Sequence, residues 1–521
     1  MKKRTRRLVT AALLASVALP AASFAAEADL LKRIEDLEKK LKKVEEKNLG
    51  NWLTIGGDYR FRYDYLSGKV APYMDGMTII GGTAQAGLTA ADLMAFMGGD
   101  MSNAAIFGPI MAAAAHPVEK TVKNESLYTN RFGLNLKAKV TEDVSFSARM
   151  LMYKVAGAQN DAALQSGGTV YSFDRAGLFD GTIGHVPGDS RLAVDRVYAT
   201  WNNIAEQPIW FSIGRRPSTG GVPTNLKQNL EKPGNSGVPG LLVDYAFDGV
   251  TLGWAPDIEA LPGAYAKLCY GRGFSTGIEE EGNNSLHNTD MVGINIVPMD
   301  TDAFRLELQY NRGMNIFSNP IMLSGPFAST FSSVQSNLGN IDWYGIDTMG
   351  KAGDFNWFIA GAMSKTDPNG KTIQFPVFGD TGIGLLFDQG QKESKTGYGL
   401  YLGGRYDIES TRTKIGLEYN QGTKNWITFT PASDDMWTAK LGTRGKVYEG
   451  YVIQELPLKP IASYLAKAFF KVGYQYYDFD YTGSNSWLGA PTKISSTANS
   501  MQLTAPLKNA QDLYATFEVQ F

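Results

Sequence analysis

From Asn51 onward, apolar and polar side chains alternate along the chain in one segment after another. In NWLTIGGDYRFRYDY the residues Ile55, Tyr59, Phe61, Tyr63 and Tyr65 share one face, and Asp58, Arg60, Arg62 and Asp64 share the other. That is the pleat of a strand with one apolar side and one wet side. The terminal QDLYATFEVQF repeats it, with Leu513, Ala515, Phe517, Val519 and Phe521 opposed to Tyr514, Thr516, Glu518 and Gln520. Between these two lie similar segments at roughly 125–140, 143–155, 190–202, 208–216, 240–255, 263–273, 288–298, 303–313, 338–351, 354–364, 395–409, 411–421, 444–455 and 466–482, sixteen in all.

The connections alternate in length. TED at 141–143, DTD at 300–302, AGD at 352–354 and EST at 409–411 are short, while eight others are long, beginning with residues 66–124. A sandwich has no reason to keep that rhythm, whereas a membrane barrel has short turns at one end and long loops at the other. The fold class expected is all-β: a 16-stranded antiparallel transmembrane β-barrel over 51–521, preceded by a short α-helical coiled coil. Asp248 and Gly249 interrupt one segment. Apolar residues at 243, 245 and 247 give way to 250, 252 and 254, a parity change read as a bulge, since a hairpin there would add a strand and put the two chain ends on opposite sides.

Ahead of the strands, Leu30, Ile34, Leu37, Leu41 and Val44 are spaced 4, 3, 4, 3 within a highly charged stretch. This is a heptad seam over 26–48, about three heptads long and marginal unless something larger fixes the stoichiometry. Earlier still, Lys2, Lys3, Arg4, Arg6 and Arg7 precede an apolar run from Leu8 to about Leu19, and Ser23 and Ala25 suit cleavage after Ala25. Residues 1–25 thus read as a cleaved secretory signal peptide. Its removal takes five positive charges and no negative ones, moving the formal charge from -2 to -7. No later stretch reaches the roughly eighteen consecutive apolar residues of a spanning helix. The single cysteine, Cys269, excludes an internal disulfide, and no CxxCH sequence is present for haem attachment.

Signal peptide, coiled-coil leader, sixteen alternating strands, eight long loops and terminal Phe521 together resemble a trimeric Gram-negative outer-membrane porin, of a poorly characterised family with a coiled coil before the barrel. The resemblance implies a homotrimer in the outer membrane among lipid and lipopolysaccharide, with no cofactor and no nucleic-acid partner, passing small hydrophilic solutes and ions. A strand count near sixteen leaves a lumen wide enough for water. The resemblance also implies that the third long loop, about 217–239, folds inward and narrows it. Arg215 and Arg216 stand at its start, with Lys227, Glu231 and Lys232 further along; fixed charges in such a constriction sort ions by sign.

Inward faces carry the basic residues Arg60, Arg62, Arg131, Lys137, Arg196, Arg216, Lys267, Arg305, Arg405, Lys414 and Lys471. The inward acids are fewer: Asp58, Asp64, Glu307, Asp407, Glu418, Glu449 and Glu518. A weak anion preference is expected, subject to a one-residue slip inverting any strand. Loop 66–124 is rich in alanine and holds Met74, Met77, Met94, Met97, Met101 and Met111, with Thr89 and Asp92 placed to cap a helix through Met97. Packing against barrel or neighbour is the expectation for so apolar a loop; a vestibule for apolar compounds is the alternative. His116, His185 and His287 all fall in loops, so neither a wall-mounted catalytic triad nor zinc spacing is found, and no enzyme activity is expected. Glu279 to Glu281 and Asp434 with Asp435 read as solvated loop faces. A structural barrel organising periplasmic partners remains the other reading.

Overall fold

The computed structural model describes residues 52–156, 192–233, 237, 239–277, 287–318, 336–375, 379–388, 392–430, 435–459 and 466–521. The chain divides into two units, Met1–Thr54 and Ile55–Phe521. The expected signal peptide and the heptad residues Leu30, Ile34, Leu37, Leu41 and Val44 lie outside the described residues.

The second unit is a closed barrel of sixteen strands. They are β1 Leu53–Val70, β2 Lys120–Lys139, β3 Val144–Val155, β4 Leu192–Trp201, β5 Ile209–Ser218, β6 Tyr245–Trp254, β7 Tyr265–Phe274, β8 Thr289–Asp300, β9 Phe304–Met314, β10 Gly339–Ala352, β11 Phe355–Pro368, β12 Thr396–Ile408, β13 Thr413–Gly422, β14 Gly445–Glu455, β15 Lys467–Phe479 and β16 Leu507–Gln520. Each expected segment is one of these strands. Sequence neighbours pair antiparallel, and β1 pairs with β16 from Asp58 opposite Gln520 to Lys69 opposite Asn509. Closure leaves no edge with unpaired backbone groups. The two faces separate as the alternation requires: Ile213, Leu252, Leu268, Ile359 and Leu417 are at least half exposed on the outside, while Arg60, Arg62, Asp64, Asp512 and Glu518 are buried inside.

The expected bulge at Asp248–Gly249 is absent. The strand β6 pairs without a register shift on both sides, Asp248 opposite Arg215 and Arg272, Gly249 opposite Gly214 and Gly271. The apolar parity changes because the environment changes along the strand. Tyr245 and Phe247 point inward and are buried under loops, while Leu252 and Trp254 point outward and are exposed. Register shifts do occur elsewhere, one of them at Arg149/Met150, where Asp195 of β4 has no register partner.

At the long-loop end the barrel is not empty. Loop 3 (219–244), loop 5 (315–338), loop 6 (369–395), loop 7 (423–444) and loop 8 (480–506) contribute Leu242, Phe317, Leu385, Phe429 and Trp487 to one apolar cluster. The inward-facing Trp343, Phe358 and Tyr401 of the wall complete it. Loop 1 (71–119) forms three helices, α1 Gly76–Gln85, α2 Ala90–Met97 and α3 Ala104–Ala114. The capping box of Thr89 and Asp92 starts α2 as the spacing foretold. Met77, Ile80 and Ala84 of α1 pack with Ile373 and Ile383 of loop 6 and Leu488 and Leu503 of loop 8, so the loop docks on its neighbours and leaves Met94, Met97 and Met101 exposed.

Candidate functional site

The lumen is crossed by its third loop. In a ring of sixteen strands β5 and β13 are diametrically opposed, and loop 3 leaves β5 to meet the far wall. Its short helix α4, Thr224–Lys227, carries the contacts. Arg405 of β12 donates to the Leu226 carbonyl at 2.7 Å, Lys471 of β15 to the Lys227 carbonyl at 3.2 Å, and Gln520 of β16 to the Gln228 carbonyl at 3.1 Å. Asn229 donates to Glu455 and accepts from Lys414, at 2.8 and 2.6 Å. The last carbonyls of a four-residue helix stay open to further donors, and two cations and one side-chain amide of the far wall supply them.

Loop 7 runs beside it. Phe429 bridges Val243 of loop 3 in parallel, and the Phe429 amide donates to the Leu242 carbonyl at 2.9 Å. Beneath this contact sits a charge cluster. Lys440 pairs with Glu418, and with Glu449 at 2.5 Å; Lys227 reaches Glu449 at 2.6 Å and Asp435 at 4.0 Å. Tyr401 and Tyr514 donate to Glu418 and Glu449 at 2.6 and 2.7 Å. Asp435 is buried, not the solvated loop acid expected. Its carboxylate accepts from Gln475 and from the Lys440 amide, both at 2.9 Å. Burial pushes the Asp435 carboxyl up, against the pull of Lys227 and Lys440.

The residues singled out from the sequence fall into three groups. Arg62, Arg305 and Arg405 are buried in ion pairs on the wall: Arg62 with Asp64 at 2.5 Å and Asp512 at 2.8 Å, Arg305 with Asp300 at 2.7 Å and Glu307 at 3.0 Å, and Arg405 with Asp407 at 2.6 Å. Arg305, Arg405 and Glu231 also line a cavity of about 610 Å³ at the short-turn end, under loop 3. A second group keeps partial solvent contact. Arg131 binds Asp58 at 2.8 Å and Arg196 binds Asp195 at 3.3 Å, while the neighbouring Arg60, itself buried, reaches the Tyr153 hydroxyl at 3.5 Å. The third group lies at the start of loop 3. Arg216 is buried between the ring faces of Tyr198 and Trp210, and Arg215 stands on the outer face with Ile213, paired to Asp248 at 2.9 Å. Arg215 therefore does not line the lumen; its parity is that of the outward residues.

Several charged residues of the lumen escaped the sequence. Arg149 of β3 shares Asp58 with Arg131, at 2.8 Å. Its strand, VSFSARMLMYKV, has apolar residues of both parities, so no face stood out. Asp512 has the parity of Tyr514 and was legible from it. Lys440 and Asp435 lie in a loop, where no period tells inside from outside. The residue Asp195 is inward only because of the register slip beside it.

Among solved structures, the chain is similar to in-vitro folded OmpT, an outer membrane protein of Vibrio cholerae in trimer form, with 10% identity over 90% of this chain and 99% of that one, and a TM-score of 0.39. It is also similar to Salmonella typhi OmpF in complex with daunomycin, with 8% identity over 89% and 97% and a TM-score of 0.39. No curated protein sequence matches the chain. Residues 121–521, from the second strand to the terminal phenylalanine, match the family described as "Protein of unknown function (DUF3373)", and the chain belongs to that family.

Proposed function

We propose that the protein is a porin-like barrel of the bacterial outer membrane, a passive diffusion path for small hydrophilic solutes and ions with a weak preference for anions. The apolar outer face of the strands suits hydrocarbon, and a closed ring satisfies every strand's backbone without water. One observation carries the sign of the preference. Loop 3 covers the wall from β12 to β16, while the wall of β2–β4 keeps Arg131, Arg149 and Arg196 in contact with solvent, with side chains 16–25% exposed. Their facing acids are Asp58, equally exposed, and Asp195, which is buried. Among the described residues, that wall carries more positive than negative charge, which favours anion entry in a low-dielectric sleeve. A homotrimer held in part by the heptad seam of 26–48 belongs to the same proposal.

The packed mouth favours a second reading, a sealed barrel with a mainly structural role. Besides the large cluster under loops 3 and 5 to 8, Leu127, Val155, Met436 and Trp437 pack at the end near β2 and β3. Planar-bilayer recording separates the two: steady conductance supports the channel and its absence supports the sealed barrel. Under a salt gradient the reversal potential is expected on the anion side and to move toward cations in R149E; a cation-selective wild type refutes the sign.

A further inference from the structure

We propose that the wall of β5–β9 holds a monatomic anion, a halide such as chloride, between Arg216 and Asn311. The inference stands apart from the transport reading, because a buried anion neutralises Arg216 whether or not the lumen conducts.

Three independent features converge there. A cavity of about 30 Å³ lies against the inner wall, lined by Arg216, Asn311, Gln309, Ser218, Thr251 and Cys269 and, among the described residues, by no carboxylate. That is room for one or two water-sized atoms. Gly271 and Gly293 keep it open: a Cβ on Gly293 would stand 2.4 Å from the Asn311 amide oxygen, and one on Gly271 would stand 2.5 Å from Phe247.

The second feature is an unpaired buried cation. Arg216 is 7% exposed, and its Nε and Nη1 have no hydrogen-bond partner among the described residues. The rings of Tyr198 and Trp210, 5.5 and 5.6 Å from the guanidinium carbon, attract the charge but accept no N–H in its plane. Lys267, also buried on the same face as Cys269, spends its ammonium on the Gly237 carbonyl at 2.6 Å. A buried cation without a counter-charge is costly, and supplying the anion relieves that cost.

Third, the amide of Asn311 is oriented by a relay. The carboxylate of Glu307 is an acceptor only, so the Asn295 NH₂ faces it at 2.7 Å and also donates to the Gln309 oxygen at 2.7 Å. The Gln309 NH₂ must then donate to the Asn311 oxygen, at 2.8 Å. This leaves the Asn311 Nδ2 as a second buried donor without an acceptor. Arg305 binds Glu307 at 3.0 Å. The space thus faces unsatisfied donors from two strands, Arg216 of β5 and Asn311 of β9. Two converging N–H donors, one of them charged, suit a bare anion.

Crystals of the full-length detergent-solubilised protein grown in sodium bromide test this by anomalous diffraction. A bromine peak is expected between the Arg216 guanidinium and the Asn311 amide; its absence overturns the inference. In solution, the excess ³⁵Cl NMR linewidth of the wild type should fall in R216Q and in N311D, the latter keeping side-chain shape while placing an anion where a donor stood, and should persist in K137Q. An N311D barrel that still migrates as folded on a heat-modifiable gel and retains the wild-type linewidth also overturns it. A bromine peak without conductance leaves this site standing and the transport reading fallen, and conductance without a peak does the reverse.

Discussion

Replacing Lys440 by methionine tests whether the lumen cluster pins loop 7. The side chain keeps most of its length and loses its charge. Lys440 is 6% exposed and its ammonium joins Glu418 of β13 to Glu449 of β14. Without it Glu449 retains Lys227 at 2.6 Å, but Glu418 keeps, among the described residues, the neutral Tyr401 hydroxyl at 2.6 Å. Removing one partner of a buried pair costs about 3–5 kcal/mol, mostly the penalty on the charge left behind. K440M should therefore lose about that much in guanidinium unfolding of the refolded barrel. Tryptophan fluorescence reports the change, since Trp426 and Trp437 both sit in loop 7. The double variant K440M/E418Q removes the stranded charge and should recover all but the roughly 1 kcal/mol of an ordinary hydrogen bond. A double variant less stable than the single one refutes the reasoning. Acid–base behaviour supplies a second readout. Burial opposes the Lys440 charge, yet Glu418 and Glu449 outweigh it and hold its pKa well above the usual 10.5. A raised folded pKa gives stability that is complete below the unfolded value and is lost as pH climbs through the folded one. The gap between wild type and K440M should stay level from neutral pH to about 10 and close only above it.

Leu226→Ala removes the buried anchor of α4; a loss of about 2–5 kcal/mol is expected from the large-to-small change, together with a larger single-channel conductance as loop 3 loosens, and an unchanged conductance contradicts its place across the lumen. Gly249→Ala would bring a Cβ to 2.0 Å from the Tyr270 carbonyl oxygen and 2.6 Å from the Gly271 Cα, so refolding yield, scored by heat-modifiable gel mobility, should collapse; normal yield would mean that β6 does not run straight through this point. The triple change of Met94, Met97 and Met101 to serine touches only exposed side chains and should leave unfolding within about 0.5 kcal/mol of wild type; a greater loss would show that these residues pack against something in the folded protein.

The strands were legible because one physical cause, an outer face in apolar surroundings and an inner face among polar groups, acts on every one of them. Where that cause has a rival the reading slipped. Along β6 the inward Tyr245 and Phe247 are apolar because loops bury them, and the change at Asp248–Gly249 then imitated a bulge. Trp343 and Phe358 are inward and apolar for the same reason. The capping box of α2 was legible because its signal is local, two side chains three residues apart. The partners of Lys227 were not. Glu449 and Asp435 lie more than two hundred residues away, and only a loop conformation that crosses the barrel brings them within reach.

Counting inward charges is a poor measure of what an ion would meet, and the two sides of this barrel show why. On β12, β14 and β15, Arg405, Glu449 and Lys471 point inward by parity, yet each is buried and bound to loop 3 by a carbonyl or an ion pair. Their charges are spent on fixing a loop and are screened from the lumen by it. On β2–β4 no such contact to loop 3 is found among the described residues, and Arg131, Arg149 and Arg196 reach Asp58 and Asp195 while their side chains stay 16–25% exposed. Excess charge that stays hydrated acts on a passing ion; charge that is paired and dry acts on the fold. On the proposed transport reading, selectivity would rest on a short arc of the wall, and substitutions of equal charge should differ in effect according to which arc they occupy.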